Sequence, residues 1–320
     1  MMKVLVLGIE EFIGQRVAVA LSRCGWAQPF GDPAGIQAAG LEGVIPLSGT
    51  SAGSASMVAA LDCIDAVVNC VSSSPRAVGD TAQRLFTAAR QSGTPPLVVH
   101  ISSMAVYGAV EGSVDEDTGL TGELGPYAQA KVAAEGLANS YPRRIILRPG
   151  CEYGPGGELW SGRVARFLVA GRLGDLGAAG DGICNLVHVD DLASAVLLGL
   201  DNPAAVGGTF NLAVSDPPTW NEYFLRFAIA LGAVPVRRIS RRALALETKV
   251  LAPPLKILEL ALKKSGAGAA VPAPLPPSFL RLACQEIRLD CSRAGDTLQW
   301  NCRPLDQGLA ETAAWFRQQQ

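Results

Sequence analysis

The stretch "VLVLGIEEFIGQRVAVAL", residues 4–21, constrains this chain more than any other. An apolar run from Val4 to Leu7 breaks at Gly8; Gly14 follows, and apolar residues then recur at helical spacing. A strand that enters a glycine turn and leaves as a helix opens a βαβ unit. Gly8 permits the tight turn and Gly14 lets the helix approach the sheet closely. The N–H groups around Phe12 and Ile13 then form a helix start suited to a pyrophosphate. Glu11 stands midway, where a third glycine is expected. Like charges roughly 4 Å apart repel by about 1–4 kcal/mol at an effective dielectric of about 20–80, so Glu11 is expected to weaken pyrophosphate binding unless it turns outward to solvent.

The rest of the first half continues the rhythm. Strand-like runs fall at 3–7, 44–47, 66–71, 97–101 and 145–148, and helix-like spacing at 13–24, 80–92 and 127–140. Such alternation predicts an α/β fold of Rossmann type, a doubly wound parallel sheet covered on both faces. A second strand, "WAQPFGD", ends at Asp32, although Pro29 inside it lacks a ladder donor. After Arg148 the pattern loosens, with further strand candidates at 184–189 and 209–213 and a helical, proline-interrupted stretch at 214–282. The expected division is a nucleotide-binding domain over 1–150, to which strands from 183–213 return, and a mainly substrate-binding C-terminal lobe over 151–320.

Composition excludes several classes. With 49% hydrophobic residues the chain affords a large core, and a net charge of −2 without long basic runs argues against a nucleic-acid groove. No stretch of about 18 apolar residues lacks a charge or proline, so no membrane span is expected. The eight cysteines form no C-x-x-C pair and no leader precedes the first strand. Both features suit buried, reduced thiols in a cytoplasmic protein. His100 and His188 are too few and too far apart for a zinc site, and no metal is expected.

The chemistry is concentrated in "HISSMAVYG" (100–108) and "PYAQAKVAAE" (126–135). Tyr127 and Lys131 lie four apart, on one face of a predicted helix. A phenol with a pKa of about 10 is a poor acid/base at neutral pH. A neighbouring ammonium should lower that pKa, making Tyr127 a general acid/base. Ser103, at a strand end, can hold the same substrate oxygen. Asp32 is placed to bind the adenosine ribose hydroxyls and to repel a 2′-phosphate, which favours NAD over NADP. Its alternative is a turn residue before Pro33.

These segments occur together with "DAVVNC", "LRPGCEYGPG", "NLVHVDDLASAV" and "RAGDTLQWNCRPLDQGLAETAAWFR". In that order the chain resembles the extended short-chain dehydrogenase/reductases, the NAD-dependent epimerase/dehydratase group. The resemblance implies a Ser103–Tyr127–Lys131 triad, with Lys131 also touching the nicotinamide ribose. It further implies cofactor contacts at Gly8, Phe12, Ile13, Gly14, Asp32, Thr50, Val71 and Pro149, and a homodimer. Thr50 stands where relatives usually carry an aspartate, and Cys151 where nucleotide-sugar members carry an asparagine.

The expected activity is interconversion of a secondary alcohol and a ketone by hydride transfer, acting on a small molecule. Met104 and Ala105 follow Ser103, so the Asp-Glu pair of nucleotide-sugar dehydratases is missing. A nucleotide-sugar epimerase working through a transient ketone is one alternative. A cofactor-weak, non-catalytic binding or regulatory protein is another. His188 is expected to be structural, beside an Asp190 or Asp191 helix cap. Tyr107 is read as packing and Tyr153 as packing or lining the substrate mouth. Arg237, Arg238, Arg241 and Arg242 read as a solvated helix end or a diphosphate contact.

Overall fold

The computed structural model describes residues 1–50, 54–240 and 277–319. In chain order the strands are β1 (Met2–Leu7), β2 (Ala27–Gly31), β3 (Ile45–Pro46), β4 (Ala66–Asn69), β5 (Leu97–Ile101), β6 (Gly112–Val114), β7 (Arg144–Pro149), β8 (Cys151–Tyr153), β9 (Leu186–His188), β10 (Thr209–Leu212) and β11 (Ile287–Leu289). The helices are α1 (Phe12–Arg23), α2 (Pro33–Ala39), α3 (Ser54–Leu61), α4 (Pro75–Gln91), α5 (Pro126–Asn139), α6 (Arg163–Val169), α7 (Val189–Asp201), α8 (Trp220–Leu231), α9 (Pro277–Ala283), α10 (Ser292–Leu298) and α11 (Leu305–Gln318).

Seven strands form a parallel sheet in the order β10-β7-β5-β4-β1-β2-β3. Its strands are apolar on both faces because both faces are covered. Val4, Val6, Val68, Val99, Ile145 and Leu147 pack toward α1 and α7, while Leu5, Val67, Val98 and Ile146 pack toward α3, α4 and α5. This alternation follows from the two-residue period of a strand. Pro29 is tolerated because β3 pairs with β2 only at Phe30 and Gly31. Strand order reverses between β1 and β4, and a crevice opens beyond their carboxyl ends, the place where such sheets bind ligands.

The chain divides into two compact units. The first holds 1–152, 186–215 and 289–303, and the second holds 153–185, 216–288 and 304–320. Within the first unit β10 extends the central sheet beside β7, whereas β9 pairs with β8 in a separate small sheet. Residues 289–303 also belong to the first unit, where α10 packs its Ala294 and Leu298 into the sheet's core. Inside the second unit, Trp160, Trp220, Tyr223, Phe224 and Phe279 form an aromatic cluster. There the buried Tyr153 ring lies so close to Gly308 that a side chain at 308 would overlap its hydroxyl. Much of the 214–282 stretch expected to be helical, with Arg241 and Arg242, lies outside the described residues.

All eight cysteines are free, but Cys63 and Cys284 are exposed, and only Cys70, Cys151 and Cys184 are buried. No described helix is long and apolar enough to cross a membrane.

Candidate active site

The turn after β1 is built as its glycines require. Gly8 adopts a positive φ of 72°. A methyl group on Gly14 would overlap the Gly8 carbonyl oxygen and lie 2.9 Å from Ile9 Cα. Phe12 and Ile13 open α1 and pack their side chains into the core beneath, so any ligand there meets their backbone. Glu11 does not turn out to solvent. It is half-buried, and its carboxylate crosses to the loop after β4, accepting from Ser72 N–H at 2.7 Å, Ser72 Oγ at 2.6 Å and Ser73 N–H at 3.3 Å.

A cavity of about 430 Å³ fills the crevice, lined among others by Gly8, Glu11, Asp32, Thr50, Val71 and Arg84. Four residues expected from sequence, Gly8, Asp32, Thr50 and Val71, therefore line one cavity. Phe12, Ile13, Gly14, Lys131 and Pro149 are not part of that lining; Pro149 is buried at the end of β7, in register with Leu212. Asp32 is a helix cap at the edge of the cavity. Its carboxylate caps α2 through Gly35 N–H at 3.4 Å and receives the Thr50 hydroxyl at 3.5 Å, while the residue still faces the cavity. Arg84, on α4, was not legible as a site residue. Its Nε is buried without a hydrogen-bond partner, and its Nη2 reaches Thr81 Oγ1 at 3.3 Å.

Ser103, Tyr127 and Lys131 converge at the end of β5. Ser103 caps the short helical turn Met104–Tyr107, its Oγ accepting from Ala105 N–H at 3.2 Å, and its hydroxyl is near enough to Tyr127 to favour the phenolate. Tyr127 and Lys131 stand on successive turns of α5, with Nζ 5.7 Å from the phenol ring centroid. The lysine is only 1% exposed. It donates to Ile101 O at 2.8 Å and Val71 O at 3.3 Å, tying α5 to the carboxyl end of β5 and to the loop after β4.

The charges around the phenol do not act as the spacing suggested. Burial pushes Tyr127 above its ordinary range, the carboxylates of Glu152 and Glu11 push it further, and the Ser103 hydroxyl opposes them. Tyr127 is thus held protonated. Burial lowers Lys131 to about 8, against the opposing pull of Glu152 and Glu11. Glu152 itself is raised to about 7 by burial, with Lys131 opposing. Sequence reasoning passed over this residue. The available signal was an acidic side chain between Cys151 and Tyr153, just after the strand expected at 145–148; the structure places it in β8.

A buried network supports the site from behind. Arg148 grips Glu135 through Nη2 at 2.7 Å and Nε at 3.0 and 3.2 Å, and Glu135 also accepts the Ser102 hydroxyl. Arg148 Nη1 donates to the Tyr107 hydroxyl at 2.9 Å, which donates to Asn211 Oδ1 at 2.7 Å. Tyr107 is thus a polar strut as well as a packing residue. His100 is buried; its Nδ1 accepts from Asn69 Nδ2 at 3.2 Å, and burial lowers it to about 3, so it stays neutral. His188 caps α7 by accepting from Asp190 N–H at 3.2 Å, so the cap is the imidazole and not Asp190 or Asp191. Asp191 instead binds Arg303, accepting from its N–H and its Nε, both at 2.9 Å.

Sheet, glycine turn and the Ser–Tyr–Lys cluster define a Rossmann-type enzyme scaffold. The family model for the NAD dependent epimerase/dehydratase family matches residues 4–213, and the chain belongs to that family. Among characterised proteins it is 30% identical over 181 residues to a 3-diazoavenalumate denitrifying reductase from a Streptomyces species; the match covers 52% of this chain and 58% of that protein. Among solved structures, the UDP-glucuronic acid 4-epimerase of Bacillus cereus, in complex with UDP-glucuronic acid and NAD, superposes over the full length of both chains, with a TM-score of 0.73 and 19% identity. The NAD complex of a dTDP-glucose 4,6-dehydratase from Bacillus anthracis covers 99% of this chain and 97% of its own, with a TM-score of 0.71 and 16% identity. At such identities these two likenesses speak for the fold.

Proposed function

We propose that this protein is an NAD-dependent oxidoreductase that interconverts a secondary alcohol and a ketone. The observation that carries the reading is the meeting of Ser103, Tyr127 and a buried Lys131 beside the β1/β4 crevice. The residues present fit the cofactor's adenosine half. Glycines open the turn, Asp32 and Thr50 offer polar atoms to a ribose, and the buried Arg84 Nε lacks a partner. Gly8, Asp32, Thr50, Val71 and the backbone of Phe12 and Ile13 would hold it; Gly14 would allow its close approach, and Pro149 would lie at the far end. When bound, its nicotinamide exchanges hydride with the substrate carbon.

The chain's own residues handle the proton. Ser103 hydrogen-bonds the substrate oxygen and aligns it with Tyr127. The Tyr127 phenol, held protonated by burial and two nearby carboxylates, donates its proton to the oxygen during reduction. Lys131, with two carbonyl partners, stays fixed beside the ring and stabilises the phenolate that results. A resting phenol favours the reductive direction, in line with the reductase activity named for the Streptomyces relative. The full-length likeness to an epimerase supports a second reading, in which the transient ketone is reduced again on its other face.

Titration with NADH and NADPH, followed by ligand fluorescence, tests the cofactor. The expected result is saturable binding with preference for NADH, and no binding up to millimolar concentration would overturn the proposal in favour of a non-catalytic protein. Tyr127→Phe should retain NADH binding and lose turnover by about 100-fold or more. Net NADH consumption with a ketone identifies a reductase, whereas an epimerase leaves the cofactor balance unchanged. The free cysteines suit a reducing compartment, and the cytoplasm is the location proposed.

A further inference from the structure

Three donors converge on one carboxylate in the crevice. The N–H groups of Ser72 and Ser73 and the Ser72 hydroxyl, on the loop after β4, all point to Glu11. Adjacent N–H groups joined by a hydroxyl make a donor set for an anion. Glu11 itself comes from the opposite wall, as the residue immediately before α1. Its backbone is extended (φ −83°, ψ 160°), and its side chain makes no capping bond to its own helix. Its carboxylate is committed across the gap. Glu11, Val71 and Ser73 line the same cavity, and the Glu11 charge is felt at Lys131 and Tyr127.

We propose that Glu11 is an internal anion that occupies the donors facing a phosphate in the dinucleotide crevice, and so sets the affinity of that crevice for its cofactor. The inference rests on the reading of this site as a dinucleotide site. A pyrophosphate approaching the start of α1 meets a negative charge already satisfied by the facing loop. It must displace that carboxylate from Ser72 and Ser73 or lie against it, and either course weakens binding. Glu11 is thereby a specificity-determining residue: it discriminates by ligand charge and leaves the neutral part of the ligand unaffected.

Glu11→Gln removes the charge and keeps the shape, while Glu11→Gly removes both; a melting curve on each variant checks that it is folded. Kd for NADH is measured by fluorescence and Kd for adenosine, which carries no phosphate, by calorimetry. Both variants are expected to bind NADH about tenfold or more tightly than the native chain, with adenosine affinity unchanged. An equal gain for adenosine, or a gain confined to Glu11→Gly, would show that bulk or loosening matters instead of charge, and would overturn the proposal. Unchanged or weaker NADH binding in folded Glu11→Gln, where the native chain binds NADH, overturns it and leaves the cofactor reading standing. If neither native chain nor variants bind NADH, the cofactor reading falls and the inference falls with it.

Discussion

At the scale of single residues, this site depends on three positions whose surroundings set what they do. Glu152 is the clearest. Its folded carboxyl keeps a proton up to about 7, whereas an unfolded glutamate releases it near 4.3. Between those values the native state binds more protons than the unfolded chain, so this group's contribution to stability falls as pH rises through the window. Glu152→Gln should therefore melt higher than the native chain at pH 8, and at nearly the same temperature at pH 4. Arg84 is a donor awaiting an acceptor, because its buried Nε has none. Arg84→Met should weaken NADH binding by roughly tenfold, at the scale of one charged hydrogen bond, as measured by fluorescence titration. Gly14 has no room for a side chain. Gly14→Ala should cost about 3 kcal/mol or more in urea unfolding, because the nearest atoms are backbone and cannot yield.

At the scale of elements, the site is held by ties between strand ends and α5. Lys131 fastens α5 to β5 and to the loop after β4, and Arg148 of β7 grips Glu135 one turn further along the same helix. The Arg148 and Glu135 side chains are 5% and 0% exposed, so each depends on the other for charge balance. Arg148→Met alone should destabilise the protein by roughly 3–5 kcal/mol, since it strands a buried carboxylate. Arg148→Met combined with Glu135→Leu should recover most of that loss, and urea unfolding of the two variants separates the cases. The elements themselves were largely legible in the sequence. Helices at 13–24, 80–92 and 127–140 correspond to α1, α4 and α5, with α4 beginning earlier, at Pro75, because Ser74 caps it through Ala77 N–H. The four-residue spacing also brought Tyr127 and Lys131 onto one face. What it could not supply was the sign of the effect on the phenol. That sign depends first on burial of the phenol and then on Glu152 and Glu11, which are distant in sequence.

At the scale of the whole molecule, the parallel sheet assembles the crevice from segments as far apart as Gly8, Asp32, Val71 and Arg84. A ligand that binds only the folded chain raises its melting temperature with the logarithm of its concentration above Kd. Saturation at a hundredfold excess over Kd contributes about 2.7 kcal/mol, or an upward shift of roughly 5–10 °C for a unit of this size. NADH should produce such a shift, and Glu11→Gln should reach it at lower concentration. The homodimer implied by the family resemblance is a proposal at this scale. Sedimentation should give twice the 33.3 kDa of one chain, and a single-chain mass would remove it.

The sequence alone determined the parallel sheet and the glycine turn, because both are written in short-range spacing and in alternation of apolar runs; the family was legible through the resemblance of several motifs taken in order. Only the tertiary structure decided where the carboxylates of Glu11 and Glu152 act, how Arg148 braces the site and that His188 caps a helix. Those facts depend on contacts or fields between side chains held near one another by the folded backbone, and the strength of an electrostatic interaction depends on burial, which no local pattern records.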